Sequence, residues 1–216
     1  MPYREGVLAE NGLYHVYTRS IAGFEIFNNS RDYERIVKAM DFYSTERIDH
    51  CFAIFEKVQE NQVLNTTTRE KLVDIIAYCI MPTHIHLILK QLKEKGISRF
   101  MQRILNSYSK YFNIKRKRKG PLWEGRFNGI LVKDDDQFLH LTRYLHLNPV
   151  TASLVENPED WEFSSYREYL ALINQDKKIC EFSNYLSMDP VDYRRFVNDR
   201  IDYQRELALI KHSVLE

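Results

Sequence analysis

The chain contains no run of eighteen apolar residues, and its N-terminus lacks the basic, apolar and small-residue succession of a secretory leader. A soluble, cytoplasmic protein with no membrane partner is therefore expected. Cysteine is scarce. Cys51, Cys79 and Cys180 are too few and too scattered for a disulfide framework or a zinc knuckle. No glycine-rich loop of the kind that cradles nucleotide phosphates is present, and no repeat or low-complexity stretch interrupts the chain. The net charge of +1 names no partner. With 44% hydrophobic and 13% aromatic residues, the 216 residues can still bury a substantial core, as one domain with an appendage or as two small ones.

The distribution of charge says more than its sum. Twelve of the 31 Lys and Arg residues lie between 93 and 133, where only Glu94 and Glu124 oppose them. A segregated basic segment is the electrostatic footprint expected for a phosphate backbone. Its densest part, Lys115-Arg116-Lys117-Arg118-Lys119, ends in Gly120-Pro121 and reads as a loop.

Residues 75 to 89 are almost wholly apolar and are broken once, at Pro82. That pattern predicts two short buried strands joined by a tight turn. Beyond the turn the alternation sets His84 and His86 on one strand face, roughly 7 Å apart at the Cα atoms, so both imidazoles can converge on one metal ion.

Other segments fall into place around this pair. Leu13 to Arg19 follows the turn signal Asn11-Gly12 and reads as a first strand. Ser30 is the expected N-cap of a helix with an apolar stripe of Tyr33, Ile36, Val37, Met40 and Tyr43. Residues 51 to 58 fit a strand or a short helix, and 61 to 68 a polar loop. Gly96 and a capping Ser98 precede a helix whose stripe is Phe100, Ile104, Tyr108 and Phe112. Phe127 to Val132 reads as a strand. Asp134 to Asp136 open a helix from about 136 to 147, with Asn148-Pro149 ending it. Helical patterns near 164 to 173 and 190 to 210 complete the chain. The order predicts an α+β fold, an antiparallel sheet with helices on one face in a ferredoxin-like arrangement. A domain of residues 1–155 would then carry a helical C-terminal extension of 156–216.

On the helix from 136 to 147, His140, Tyr144 and Asn148 are spaced i, i+4, i+8 and are expected to share a face. Phe138, Leu141 and Leu145 form a separate stripe that can dock on the sheet.

Three segments in this order and spacing, Met81-Pro82-Thr83-His84-Ile85-His86, Trp123-Glu124-Gly125-Arg126-Phe127 and Arg143-Tyr144-Leu145-His146-Leu147-Asn148-Pro149-Val150, resemble the single-tyrosine HUH transposases (IS200-like). The REP-associated tyrosine transposase branch is the most similar, from about Tyr14 to Trp161. The resemblance implies an HUH-nuclease fold with Tyr144 as the nucleophile. It implies His84, His86 and Asn148 as ligands of a divalent metal, Mg or Mn, which two imidazoles and an amide oxygen would leave with open positions. His140 and His146 are candidates for proton transfer or site lining. The implied activity is metal-dependent cleavage and strand transfer of single-stranded or hairpin DNA through a covalent phosphotyrosine, by a monomer or homodimer. Lys115, Arg116, Lys117, Arg118, Lys119 and Arg126 are expected to hold phosphates and Trp123 to stack on bases, with Phe127 in the core. Two other readings compete: a hairpin-DNA-binding or regulatory protein of the same fold with little turnover, and a phosphodiesterase that uses water. The chain departs from the family pattern at two positions, with Thr83 where Asn is usual and Glu124 where Gln is usual.

Overall fold

Leu13–Arg19 forms strand β1, and its side chains divide by alternation. Tyr14, Val16 and Thr18 are buried, while His15 and Tyr17 face the other way and are only partly covered. These facts come from a computed structural model that describes residues 8–46, 52 and 70–205. Apart from Phe52, the stretches read as strand or helix (51 to 58) and polar loop (61 to 68) lie outside the described residues. The end of the 190 to 210 helical pattern does too.

Helix α1 (Ser30–Tyr43) buries Tyr33, Ile36 and Met40, as its stripe predicts. Asn29, one residue before the expected Ser30, is its N-cap, and its side chain accepts from the Asp32 amide. Strands β2 (Val73–Met81) and β3 (His84–Gln91) form a hairpin through Pro82-Thr83, with Met81 opposite His84 and Cys79 opposite His86. Helix α2 (Gly96–Lys115) follows. A Cβ on Gly96 would lie 2.3 Å from the Leu72 carbonyl oxygen, so glycine permits the helix start to press against the chain entering β2. Strand β4 (Asn128–Leu131) adds to β1.

The sheet order is β2-β3-β1-β4, with every neighbouring pair antiparallel. Together with the chain order β1-α1-β2-β3-α2-β4, this is the ferredoxin-like arrangement expected from the sequence. Helices α1 and α2 cover one sheet face, where Val16, Ile85, Leu87 and Leu89 meet Ile36, Phe100, Ile104 and Tyr108.

The opposite face is covered over only part of its width. Helix α3 (Asp135–Thr151) lies against β2, burying Phe138, Leu145 and Leu147 with Cys79, Met81 and Ile88. It runs past Asn148-Pro149 to Thr151, further than the sequence predicts. Proline removes one amide donor, yet its fixed φ is helical, so a last turn survives when packing holds it. Asn148 and Pro149 are both buried there.

The chain beyond residue 155 shares this second core. The Phe163 carbonyl accepts from the Ile80 amide, and the Tyr169 hydroxyl donates to the Ile76 carbonyl. Buried Glu168 accepts from the Ile179 and Cys180 amides, tying the returning segment to α4 (Tyr166–Tyr169). Helix α5 (Pro190–Asn198) packs Tyr193 and Val197 against α3. The extension is thus helical in part, and it completes a core begun before residue 155.

Candidate active site

Helix α3 lies mainly against β2, and the same face of β1 and β3 forms a partly exposed floor in which His86 is buried and His15, Tyr17 and His84 are partly covered. The pairing places Tyr17 opposite His86 and Arg19 opposite His84. His15, Tyr17, His84 and His86 therefore lie on one face, and α3 brings Tyr144 to its edge. The His84 and His86 rings are 5.0 Å apart and perpendicular, and the Tyr144 ring meets His86 edge-on at 5.8 Å.

Each histidine of the pair is held by one nitrogen. Thr83 Oγ1 lies 2.9 Å from His84 Nδ1, so the hydroxyl in place of the usual Asn orients that ring. His15 Nε2 lies 3.1 Å from His86 Nδ1, with the two rings stacked at 5.3 Å. The Nε2 atoms of His84 and His86 remain without a hydrogen-bond partner among the described residues. Burial pushes His86 down to about 3 and His15 to about 4, and it lowers His84, with Arg19 adding to the last effect. At neutral pH all three are uncharged imidazoles, the form that binds metal.

Asn148, one turn beyond Tyr144, is buried, and its Nδ2 has no hydrogen-bond partner. An unsatisfied buried amide is costly unless something fills the space beside it. A half-turn of the amide exchanges Oδ1 and Nδ2, so that position can offer an oxygen to a cation. Two neutral Nε2 atoms and this amide fit a divalent ion with open positions. Among the described residues no group of three or more His, Cys, Asp or Glu could hold a metal. Burial raises the Tyr144 hydroxyl above its ordinary value, and the neighbouring Asn148 amide opposes the rise.

The other expected residues are placed differently. His146 is fully buried, with Nδ1 2.8 Å from the Tyr193 hydroxyl and Nε2 2.9 Å from Ser165 Oγ. Both nitrogens are used on the core side of α3, so it neither lines the site nor moves its protons. His140 is exposed, its Nδ1 accepts from Arg143, and its ring faces Phe196 of α5 at 6.4 Å. Eight residues of helix turn its direction about 80° away from that of Asn148.

Trp123 is buried among core aromatics, its indole N–H donating to Ser109 Oγ at 3.0 Å. It has no free face for a base. Phe127 is core, as expected. Lys115 ends α2 with its ammonium 2.5 Å from Asp32, a carboxylate fully excluded from solvent, which the Tyr111 hydroxyl also donates to. It neutralises a buried carboxylate, although its own side chain stays partly exposed. Arg116, Lys117, Arg118 and Lys119 follow on the surface, Arg118 donating to the Pro121 carbonyl, and Arg126 is exposed. Glu124 pairs with Arg19 at 2.5 Å, so the carboxylate in place of the usual Gln is neutralised beside His84.

Sequence reasoning missed His15 and Tyr17. The alternation that recognised β1 already placed them on the face opposite its core residues; the missing step was the pairing of β1 with β3.

Three comparisons bear on this geometry. The profile of the IS200-like transposases matches residues 53–148. A Haemophilus influenzae protein described as a REP-associated tyrosine transposase is 32% identical over 135 residues, covering 57% of this chain and 71% of the relative. The REP-associated tyrosine transposase of Escherichia coli K12 is 25% identical over 105 residues, covering 48% of this chain and 60% of that one. A solved structure of a REP-associated tyrosine transposase bound to a REP hairpin superposes with a TM-score of 0.53 at 18% identity, covering 87% of this chain and 98% of the other, and so shares the fold. With the floor of histidines and the tyrosine at its edge, these matches make the chain a member of the IS200-like transposase family, in its REP-associated tyrosine transposase branch.

Proposed function

We propose that this transposase cleaves and rejoins single-stranded DNA carrying a hairpin, through a covalent bond between Tyr144 and a DNA phosphate, with a divalent ion held by His84, His86 and Asn148. The observation that carries the reading is the meeting of Tyr144 and His86 at 5.8 Å with the unsatisfied amide of Asn148 one turn away. A bound Mg²⁺ or Mn²⁺ would polarise the scissile phosphate and offset the charge that builds on its oxygens.

The protein's own groups account for the rest. The Tyr144 oxygen forms a bond to phosphorus while one DNA oxygen departs, so the number of phosphoester bonds is unchanged and the second transfer can reverse the first. The phenol proton leaves as the bond forms, and the departing oxygen takes one up. Neither histidine of α3 can accept it, because His146 is buried with both nitrogens bonded and His140 is turned away. Tyr144 is 43% exposed, so the reading routes the proton to solvent.

The test compares wild type with Tyr144→Phe on a labelled hairpin with a single-stranded flank, in Mn²⁺. Wild type should give an SDS-stable adduct, and the variant should lose adduct and cleavage together while keeping hairpin affinity. Cleavage without adduct would point to attack by water; an adduct that survives in the variant would move the nucleophile to another residue.

A further inference from the structure

Since Trp123 is enclosed, unpaired bases must be met elsewhere if the basic loop binds a single strand. Phe24 is 58% exposed, and Ile21, three residues before it, is 37% exposed. These residues belong to one patch. The Phe24 ring meets Phe112 edge-on at 6.3 Å, the Phe24 amide donates to the Ile21 carbonyl, and the Ile21 amide donates to the Leu122 carbonyl. Cations rim it: the guanidinium carbons of Arg116 and Arg118 lie 5.9 and 6.0 Å from the Phe112 centroid. Lys117 and Lys119 form no ion pair among the described residues.

The patch is also fastened to the site. Ser20 Oγ donates to the Phe24 carbonyl at 2.5 Å, and the Ser20 amide donates to the carbonyl of Thr83, the residue before His84. Ile26 and Phe27 both donate to the Pro82 carbonyl. Phe24 is therefore carried on a short loop anchored at both ends to the turn that presents the histidines.

We propose that Phe24, flanked by Ile21 and rimmed by Arg116 to Lys119, is a stacking platform for unpaired bases of the strand processed at Tyr144. The inference rests on the DNA strand-transfer reading and adds to it where the flank is held. Charge complementarity selects the occupant: a polyanion is drawn to the rim, and only its single-stranded form offers base faces to an exposed aromatic ring. Duplex DNA keeps those faces stacked and would meet the cations alone.

The experiment titrates full-length wild type, Phe24→Ala, Phe24→Trp and Lys117→Gln/Lys119→Gln with labelled oligothymidylate and with a duplex, by fluorescence anisotropy over a salt series. Phe24→Ala should weaken single-strand binding by roughly tenfold with an unchanged salt slope, and leave duplex binding alone. The lysine variant should flatten the salt slope on both DNAs. Phe24→Trp should keep the affinity, and its added indole emission should be quenched by the oligonucleotide. Wild-type protein that binds no single strand would sink both readings. Wild type that binds, with Phe24→Ala indistinguishable from it or equally weakened on duplex, would overturn the platform alone. Loss of self-association in Phe24→Ala at unchanged DNA affinity would make the patch an interface between copies instead.

Discussion

His86 and His146 lie on opposite sides of α3, and burial drives both imidazoles down to about 3. Judged by desolvation they are alike; their nitrogens separate them. His146 spends both on Tyr193 and Ser165, inside a cage of Tyr166, Tyr169 and Tyr193. His86 spends one on His15 and keeps Nε2 without a partner among the described residues. A depressed histidine with two partners is a structural member. One with a nitrogen to spare, on the strand that meets Tyr144, is the kind that the proposed metal site requires.

The sharpest way to break this contrast is to remove each side in turn. His84→Ala with His86→Ala should abolish the heat of Mn²⁺ binding in calorimetry, whereas His146→Ala should keep it. Loss of metal binding on the His146 side would merge the two histidines into one class.

The converse effect falls on stability. His146→Ala takes a partner from Tyr193 and from Ser165 and opens a cavity, costing about 3 kcal/mol, or roughly 6–12 °C in melting temperature. The sign of its pH dependence follows from a folded pKa below the unfolded one. Its contribution is complete above about pH 6.5 and is lost as pH falls toward about 3, because the unfolded chain takes up a proton that the folded chain refuses. Acid melting curves of wild type should therefore fall more steeply over this window than those of His146→Gln. Equal slopes would mean that the core admits the charge.

His15 bears on the pair only through its bond to His86. Replacing it with Phe keeps a ring against β3 but removes the bond that orients His86, and should weaken Mn²⁺ binding by about tenfold. An unchanged affinity would show that the strand alone fixes the ligand.

The smallest effect divides the basic run in the same way. Lys115→Gln strands the buried Asp32 carboxylate and should lower the melting temperature while leaving the salt dependence of DNA binding intact. Lys117→Gln with Lys119→Gln should do the reverse, flattening the slope on single strands by about 0.7 for every phosphate that is no longer neutralised. A flatter slope in Lys115→Gln would return that residue to the DNA surface.

These divisions mark where the sequence could be read. Period-two alternation located β1 residue for residue, and it placed His84 and His86 on a common face, because a strand repeats after two residues without drift. Helical spacing is less faithful. Each step of four overshoots a turn by about 40°, so His140, Tyr144 and Asn148 fan out: Tyr144 meets His86, Asn148 lies buried beside Tyr144, and His140 faces Phe196. His146 could not be assigned a side without knowing that residues 165 to 193 return to cover α3. The run Lys115 to Lys119 looked uniform because composition carries no record of where a helix ends; the helix stops at Lys115 and leaves that ammonium over Asp32. Trp123 was misplaced for a related reason. An aromatic between basic residues fits a base platform and a core plug equally well until Ser109 is seen to bind its indole.

The turn before His84 has a kinetic consequence. The Pro82 carbonyl is shared by the amides of Ile26 and Phe27, and the Thr83 carbonyl takes that of Ser20. Those three amides cannot meet solvent until their grip on the turn is released. In hydrogen exchange they should open as one cooperative unit, and an ion that stiffens the β2–β3 hairpin should slow all three, although none of them touches it. Exchange at Ser20, Ile26 and Phe27 thus becomes a remote gauge of how firmly the histidine strand is held.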